Sequence, residues 1–418
     1  MAHATPDEHI CVIGLGYIGL PTAAIMAMRG FQVTGVDINP EVVEIINQGR
    51  IHIYEPELDA MVQAAVASGR LRAQRTPCLA DVFIVAVPTP FREGRQPDVS
   101  YVEAATRSLA AHLRKDSLVI LESTSPVGTT EAMARWITEV RPDLSVPAHG
   151  STDRADVLLA HCPERVLPGH IIKELVENDR IIGGIDSAST ERTLEIYRRF
   201  VSGKLLTTDC RTAEMTKLTE NTFRDVNIAF ANELSIICDR IGVDVWNLIE
   251  LANHHPRVKI LRPGPGVGGH CIAVDPWFIV ASAPEDARLI RTAREVNDGK
   301  PAHVLARIAA NIQPSEKPRI ACLGLAFKAD VDDLRESPAV DIAAHLAAEH
   351  GDRVLLVEPY ISEMPRALAG TKARLVSLEE ALVSSDIIVL LVDHRVFKEM
   401  PSSHLVGKRI IDTRGIWR

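Results

Sequence analysis

Residues 9–19 read His9-Ile10-Cys11-Val12-Ile13-Gly14-Leu15-Gly16-Tyr17-Ile18-Gly19. The first five form a short apolar run of the length of a buried strand. Gly14, Gly16 and Gly19, with Leu15, Tyr17 and Ile18 between them, make a GxGxxG turn. Pro21 to Arg29 is helical in pattern, and Gly30 supplies a C-terminal stop. Phe31 to Val36 is a second apolar strand, and Asp37 stands at its end, 18 residues after Gly19. Alone, glycine-rich turns are common; strand, turn, helix and strand-end acid in this order form a dinucleotide fingerprint. The glycines let the backbone approach a pyrophosphate at a helix N-terminus, where unpaired N–H groups favour an anion. Asp37 is placed to accept hydrogen bonds from ribose hydroxyls and to repel a 2′-phosphate, which selects NAD over NADP. A tight turn beside a strand-end carboxylate is the plainer alternative.

The same alternation continues outward. Val82 to Val87 precedes Pro88-Thr89-Pro90, and Leu118 to Leu121 precedes Ser123-Thr124-Ser125-Pro126. Strands alternating with helices predict a parallel sheet covered on both faces, with ligands at the loops that follow the strands. Thr89 and Thr124 fall on that edge, where each either contacts the cofactor or caps its own turn. From about Thr208 to Ala252 the chain is nearly free of Gly and Pro and reads as one or more long helices. The loop Arg262 to His270 interrupts it, a helix around Asp286 to Arg307 follows, and Gln313 to Pro318 is a polar linker. Then the opening pattern returns. Arg319 to Leu323 is a strand, Gly324 a turn, Ser337-Pro338 a capped helix start, and Arg353 to Val357 a strand ending at Glu358. Ile387 to Val392 and Arg409 to Ile411 complete a smaller unit. The predicted fold is α/β: two Rossmann-like, doubly wound parallel-sheet domains joined by a central helical region.

Bulk properties exclude several classes. The net charge of −9 argues against nucleic acid as a partner, which requires a basic face. No apolar run reaches the ~18 residues of a membrane span, so no membrane association is expected. Met1 to Ile10 lacks the apolar stretch of a secretory signal. The seven cysteines are odd in number and contain no CxxC pair, which fits a reducing, cytoplasmic setting. Cys11 and Cys322 lie in strand-like runs and read as buried, inert thiols.

Cys271 is different. It ends Gly264-Pro265-Gly266-Val267-Gly268-Gly269-His270-Cys271, a loop that permits close ligand approach and leaves a thiol accessible. A lone cysteine is structural more often than catalytic; the loop, with Asp275 four residues on and Lys217 as candidate partners, reverses that reading. Lys217, Asn221, Arg224 and Asp225 recur at i, i+4, i+7 and i+8, hence on one helix face. Spacing alone leaves open whether that face is solvated or lines a polar site. In His161-Cys162-Pro163-Glu164-Arg165-Val166-Leu167-Pro168-Gly169, Glu164 suits a general base and Arg165 an anion contact, with a surface turn as the alternative. His254 and His255 lie close in sequence but lack a third ligand, so no metal is predicted.

Together these motifs resemble the UDP-glucose/GDP-mannose dehydrogenase family over essentially the whole chain. The carrying residues are Gly14 to Gly19, Val87 to Pro90, Glu122 to Gly128, Lys217 to Asn221, Gly266 to Cys271 with Asp275, and Phe327-Lys328 through Arg335. The resemblance implies an NAD-binding domain over 1–207, a central helical dimerisation and catalytic region over 208–310, and a UDP-sugar-binding domain over 311–418. It implies oxidation of a sugar C6 alcohol to the acid with two NAD. Cys271 would be the nucleophile toward the aldehyde, Lys217 and Asn221 would steady the oxyanion, Glu164 and Thr124 would order a water, and Asp275 would handle protons. Arg165, Val166, Lys217, Asn221, Arg224, His255, Arg257, Gly268 and Lys328 match positions lining the sugar-nucleotide site; Arg335 matches one that reaches the cofactor. A homodimer through the central helices is the implied assembly. One departure stands out: where UDP-glucose oxidisers carry a second glutamate four residues after Glu164, this chain has Pro168. That is consistent with an N-acetylated substrate, and the resemblance of Pro163 to Gly169 and Pro263 to Cys271 within the family implies UDP-N-acetyl-D-mannosamine, with UDP-N-acetylglucosamine and UDP-glucose as alternatives. A two-electron alcohol dehydrogenase and a silent NAD-binding regulator are the rival readings.

Overall fold

Apolar runs of four or five residues bounded by Gly, Pro or acidic residues become strands here because both of their faces can be buried. The computed structural model describes residues 8–417 except Tyr54, Pro168, His270 and Pro314. The chain divides into two units, Met1–Thr219 and Glu220–Arg418.

The first unit is built on β1 (His9–Ile13), β2 (Gln32–Val36), β3 (Leu71–Gln74) and β4 (Val82–Val85). A short antiparallel pair follows, β5 (Phe91–Arg92) with β6 (Gln96–Pro97). Then come β7 (Ser117–Leu121), β8 (Val157–His161), β9 (Arg180–Gly184) and β10 (Leu205–Asp209). Eight of these make one sheet in the order β10-β9-β8-β7-β4-β1-β2-β3. The order reverses about β1, whose neighbours are β2 and β4. Such a reversal opens a crevice beyond the strand ends. Alternate residues of β1 feed two cores: Ile10 and Val12 pack with Leu20, Ile25 and Phe31, while Cys11 and Ile13 pack with Phe83 and Val119.

The sheet is not wholly parallel. β9 runs antiparallel to β8, and β10 runs parallel to β9. Alternating strand and helix signals do not encode direction, so the expected parallel arrangement needs this correction.

The second unit takes up the helix Cys210–Ile241, whose first ten residues belong to the first unit. Helices Val245–Ala252, Asp275–Ser282 and Arg288–Ala310 follow. Its sheet contains β11 (Ile320–Leu323), β12 (Val354–Val357), β13 (Arg374–Leu375), β14 (Ile387–Leu390) and β15 (Arg409–Asp412). All its pairings are parallel, in the order β13-β12-β11-β14-β15.

Two local expectations change. Thr208 and Asp209 end β10 rather than begin the helix. Ser337 precedes the helix Pro338–His350 but does not cap it; its hydroxyl donates to the Leu325 carbonyl at 2.6 Å.

Candidate active site

At the dinucleotide turn, Gly14 adopts φ +92°, and a Cβ there would lie 2.4 Å from the Ala86 carbonyl oxygen. A Cβ on Gly19 would lie 1.8 Å from the Gly14 oxygen, so the strand-to-helix packing excludes side chains at both positions. Gly16 faces open space, as close approach of a phosphate requires. The helix Gly19–Met28 begins there, so its N-terminal N–H groups meet that opening. Asp37 accepts from the Leu15 N–H at 3.1 Å on Oδ2 and from the Asn39 N–H at 2.9 Å on Oδ1. It is half-buried, and each oxygen keeps capacity for a ribose hydroxyl. The geometry of the turn therefore fits NAD. Tyr17 is exposed and Ile18 half-buried on the same turn. The Thr89 hydroxyl donates to the Thr124 carbonyl at 2.6 Å, tying together the two loops that follow β4 and β7.

The segment after β8 carries Glu164. Buried Glu55 accepts from the N–H groups of Gly169 at 2.9 Å and Ile171 at 2.7 Å. Glu174 accepts from the Leu167 N–H, and the Asn178 amide donates to the Arg165 carbonyl. These bonds hold an otherwise irregular loop. Glu164 is 9% exposed, and its Oε1 makes no hydrogen bond among the described residues. Burial, opposed by the positive charges of Arg180 and Lys217, pushes its carboxyl up to about 7. A base that titrates near neutrality suits general-base work. Burial also holds the neighbouring His161 neutral, pushed down to about 3. The Arg165 guanidinium donates to the Asp179 carbonyl, and Val166 packs partly buried against the core. Pro168, the departure noted in the sequence, lies outside the described residues.

Lys217 is buried at 8% exposure. Its helix is fixed one turn earlier by Glu214, which accepts from the N–H groups of Gly128 and Thr130 and from the Thr130 hydroxyl. Those residues lie four and six positions after the half-buried Thr124. The four-residue face read from spacing splits further along the helix. Arg224 is exposed, whereas Asp225 is fully buried and accepts from Arg294 at 2.6 Å and Asn297 at 2.8 Å. Asp225 therefore belongs to the packing of the second unit.

In that unit the Asn221 amide donates to Asp275 Oδ2 at 2.5 Å. Asp275 opens the helix Asp275–Ser282, and its N–H donates to the Cys271 carbonyl at 2.9 Å. Nucleophile candidate, acid and amide are thus brought into one cluster. The loop before Cys271 needs its glycines. A Cβ on Gly268 would lie 2.3 Å from the Glu336 carbonyl oxygen, and Gly269, at φ +85°, is pressed against the Phe327 ring. The N–H of Gly264 donates to Asn232 Oδ1, which anchors the base of the loop. Cys271 is exposed, unlike the other six cysteines. Lys328, His255 and Arg257 are exposed. Arg335 pairs with Asp333 through two hydrogen-bonding nitrogens.

Sequence reasoning missed a fully buried group beside Glu164. Glu122 accepts from the Tyr197 hydroxyl at 2.5 Å and from the Thr22 hydroxyl at 3.3 Å, and Arg180 lies 1% exposed nearby. The position of Glu122 at a strand end was the available signal; nothing local marks Arg180 or Tyr197.

The chain matches three family models in succession. These are the UDP-glucose/GDP-mannose dehydrogenase NAD binding domain over residues 8–201, the central domain over 211–299 and the UDP binding domain over 321–418. It is 59% identical to an NDP-N-acetyl-D-galactosaminuronic acid dehydrogenase of Ralstonia nicotianae, covering 98% of this chain and 96% of the relative. It is 55% identical to the UDP-N-acetyl-D-mannosamine dehydrogenase of Escherichia coli K12, covering 98% and 99%. Among solved structures, the UDP-D-ManNAc dehydrogenase of Pyrococcus horikoshii superposes with a TM-score of 0.86 at 42% identity, covering 98% of this chain and 96% of that one. The chain belongs to the UDP-glucose/GDP-mannose dehydrogenase family and is an NAD-dependent dehydrogenase.

Proposed function

We propose that this enzyme oxidises UDP-N-acetyl-D-mannosamine at C6 to the uronate. The observation that carries the reading is Cys271, the one exposed cysteine, set at the end of a glycine loop beside the Asp275–Asn221 pair. The Gly14–Gly19 turn and Asp37 would hold NAD, which when bound would supply the hydride acceptor, one molecule for each of the two oxidations. Once the aldehyde forms, the Cys271 sulfur adds to its carbonyl, and loss of the second hydride leaves a thioester. Lys217 and Asn221 stabilise the oxyanion, and Asp275 exchanges protons with the thiol. Glu164, with Thr124, activates the water that releases the acid and regenerates the thiol. Overall, alcohol, water and two NAD⁺ give carboxylate, two NADH and three protons.

Arg165, Val166, Arg224, His255, Arg257, Gly268 and Lys328 are assigned to the sugar nucleotide, and Arg335 to the cofactor. The domain limits that go with this reading are 1–207, 208–310 and 311–418. We assign a cytoplasmic location on the seven scattered cysteines, odd in number and without a CxxC pair. Among the described residues no helix is long and apolar enough to cross a membrane. A homodimer is supported by Phe223, Phe230, Ile237 and Ile241, which expose 68, 51, 46 and 64% of their surface along one helix face. Large apolar side chains exposed along one helix face suit an interaction surface.

The 59% identity to the Ralstonia protein favours a second reading, with an N-acetylgalactosamine nucleotide as substrate. Initial rates with UDP-N-acetyl-D-mannosamine, UDP-N-acetylgalactosamine, UDP-N-acetylglucosamine and UDP-glucose decide between them. Two NADH per sugar, with that yield lost in Cys271→Ser, is the expected result. A full yield in the variant refutes the covalent route.

A further inference from the structure

The antiparallel turn of β9 has a chemical consequence at the end of β8. Ala160 pairs with Gly184 and His161 with Gly183. Extending that register past the end of β8 places Arg180, the first residue of β9, opposite Glu164. A parallel β9 would have put its first residue at the far edge of the sheet.

Arg180 is 1% exposed. Its Nη1 donates to the Pro163 carbonyl at a long 3.4 Å, and its Cζ lies 5.9 Å from the centre of the Tyr197 ring. Its Nε and Nη2 make no hydrogen bond among the described residues, and neither does Glu164 Oε1. A buried cation and a buried carboxylate, each with unspent hydrogen-bonding capacity, therefore share one cluster. The other charged or titratable groups facing them are Glu122, Tyr197, Cys162, His161, Lys217 and Arg165. Glu122 has local partners in the Tyr197 and Thr22 hydroxyls, whereas the Glu164 carboxylate takes a backbone bond from Val166 and leaves Oε1 without a partner among the described residues.

We propose that Arg180 is a positioning residue that serves Glu164 as its buried counter-ion, holding the carboxylate charged for the hydrolytic half of the reaction. The proposal rests on the assignment of Glu164 above. Burial alone drives a carboxyl toward its neutral form, which cannot take a proton from water. One fixed positive charge opposes that drive, and arginine keeps its proton in any protein environment.

The test uses full-length Arg180→Met, Arg180→Lys, Glu122→Gln and Glu164→Gln with NAD and UDP-N-acetyl-D-mannosamine. Stopped-flow NADH formation and the pH profile of kcat are the readouts. Arg180→Met is expected to keep the first-turnover NADH, to lose roughly tenfold or more in steady-state turnover at pH 7, and to move the acidic limb upward by about one unit or more. Arg180→Lys restores most of the profile. Glu122→Gln disturbs the same cluster without removing the cation, and it leaves the limb in place or lowers it. An unshifted limb in Arg180→Met, or an upward shift reproduced by Glu122→Gln, overturns the proposal. Wild-type turnover in Glu164→Gln overturns the assignment of Glu164 as well; a slow Glu164→Gln beside an unshifted Arg180→Met overturns this proposal alone.

Discussion

Gly14 and Gly324 occupy the same point in two sheets of the same strand plan. Each follows a central strand, each has φ near +90°, and each N–H donates at 2.8 Å to the last residue of the neighbouring strand, Val36 or Val357. The next N–H, of Leu15 or Leu325, donates to the acid that follows that strand, Asp37 or Glu358. There the likeness ends. Asp37 is half-buried and accepts one backbone bond per oxygen. Glu358 is 5% exposed and accepts from Leu325 N, Ala326 N, Tyr360 N and His394 Nε2. After Gly14 two more glycines lead straight into a helix; after Gly324 no glycine occurs before the helix at Pro338. One carboxylate keeps room for a ligand, and its counterpart is spent on holding its own turn. A repeated topology therefore does not repeat a binding site.

The contrast is testable from both sides. Glu358→Ala strands two buried backbone donors and a buried histidine, and is expected to cost about 3–5 kcal/mol of stability. Calorimetry should show that loss while NAD affinity stays at the wild-type value; weakened NAD binding would erase the distinction. In Asp37→Ala the pattern inverts. NAD binding should weaken by about 1.5–3 kcal/mol, read by titration, with stability changed by about 1 kcal/mol or less. Ser337→Ala removes the hydroxyl bond to Leu325 and should cost about 1 kcal/mol, again without effect on NAD. The smallest effect concerns pH. Burial raises the Glu358 carboxyl, but the His394 bond and the Leu325 and Ala326 N–H groups outweigh it and hold it below the usual carboxylate value. A depressed carboxylate contributes stability above its unfolded pKa, and that contribution is lost as pH falls through the folded value. The stability gap between wild type and Glu358→Gln should therefore narrow below about pH 4; a constant gap would mean that the charge contributes nothing.

Much of the fold was legible because its signals are local. Strand positions followed from short apolar runs, and the helix starting at Gly19 followed from the GxGxxG. The two α/β units were visible as a return of the same pattern after the linker. The candidate site was legible in its residue types, since Cys271 after a glycine loop and Glu164 after a strand carry their own marks. Burial along the long helix was not legible. Arg224 and Asp225 are neighbours on one helix, yet one is exposed and the other is sealed against Arg294 and Asn297. Only the helix packed alongside distinguishes them.

The sequence by itself determined the dinucleotide turn, the strand-end acids and the chemistry-bearing side chains, because these depend on contacts within a few residues. Tertiary structure alone decided strand direction at β9 and the opposite fates of Asp37 and Glu358. Those outcomes depend on register and burial between segments tens of residues apart, which local periodicity does not record. The arrival of Arg180 opposite Glu164 is the clearest case: a position that nothing local marks comes to face a marked one because one strand runs backward.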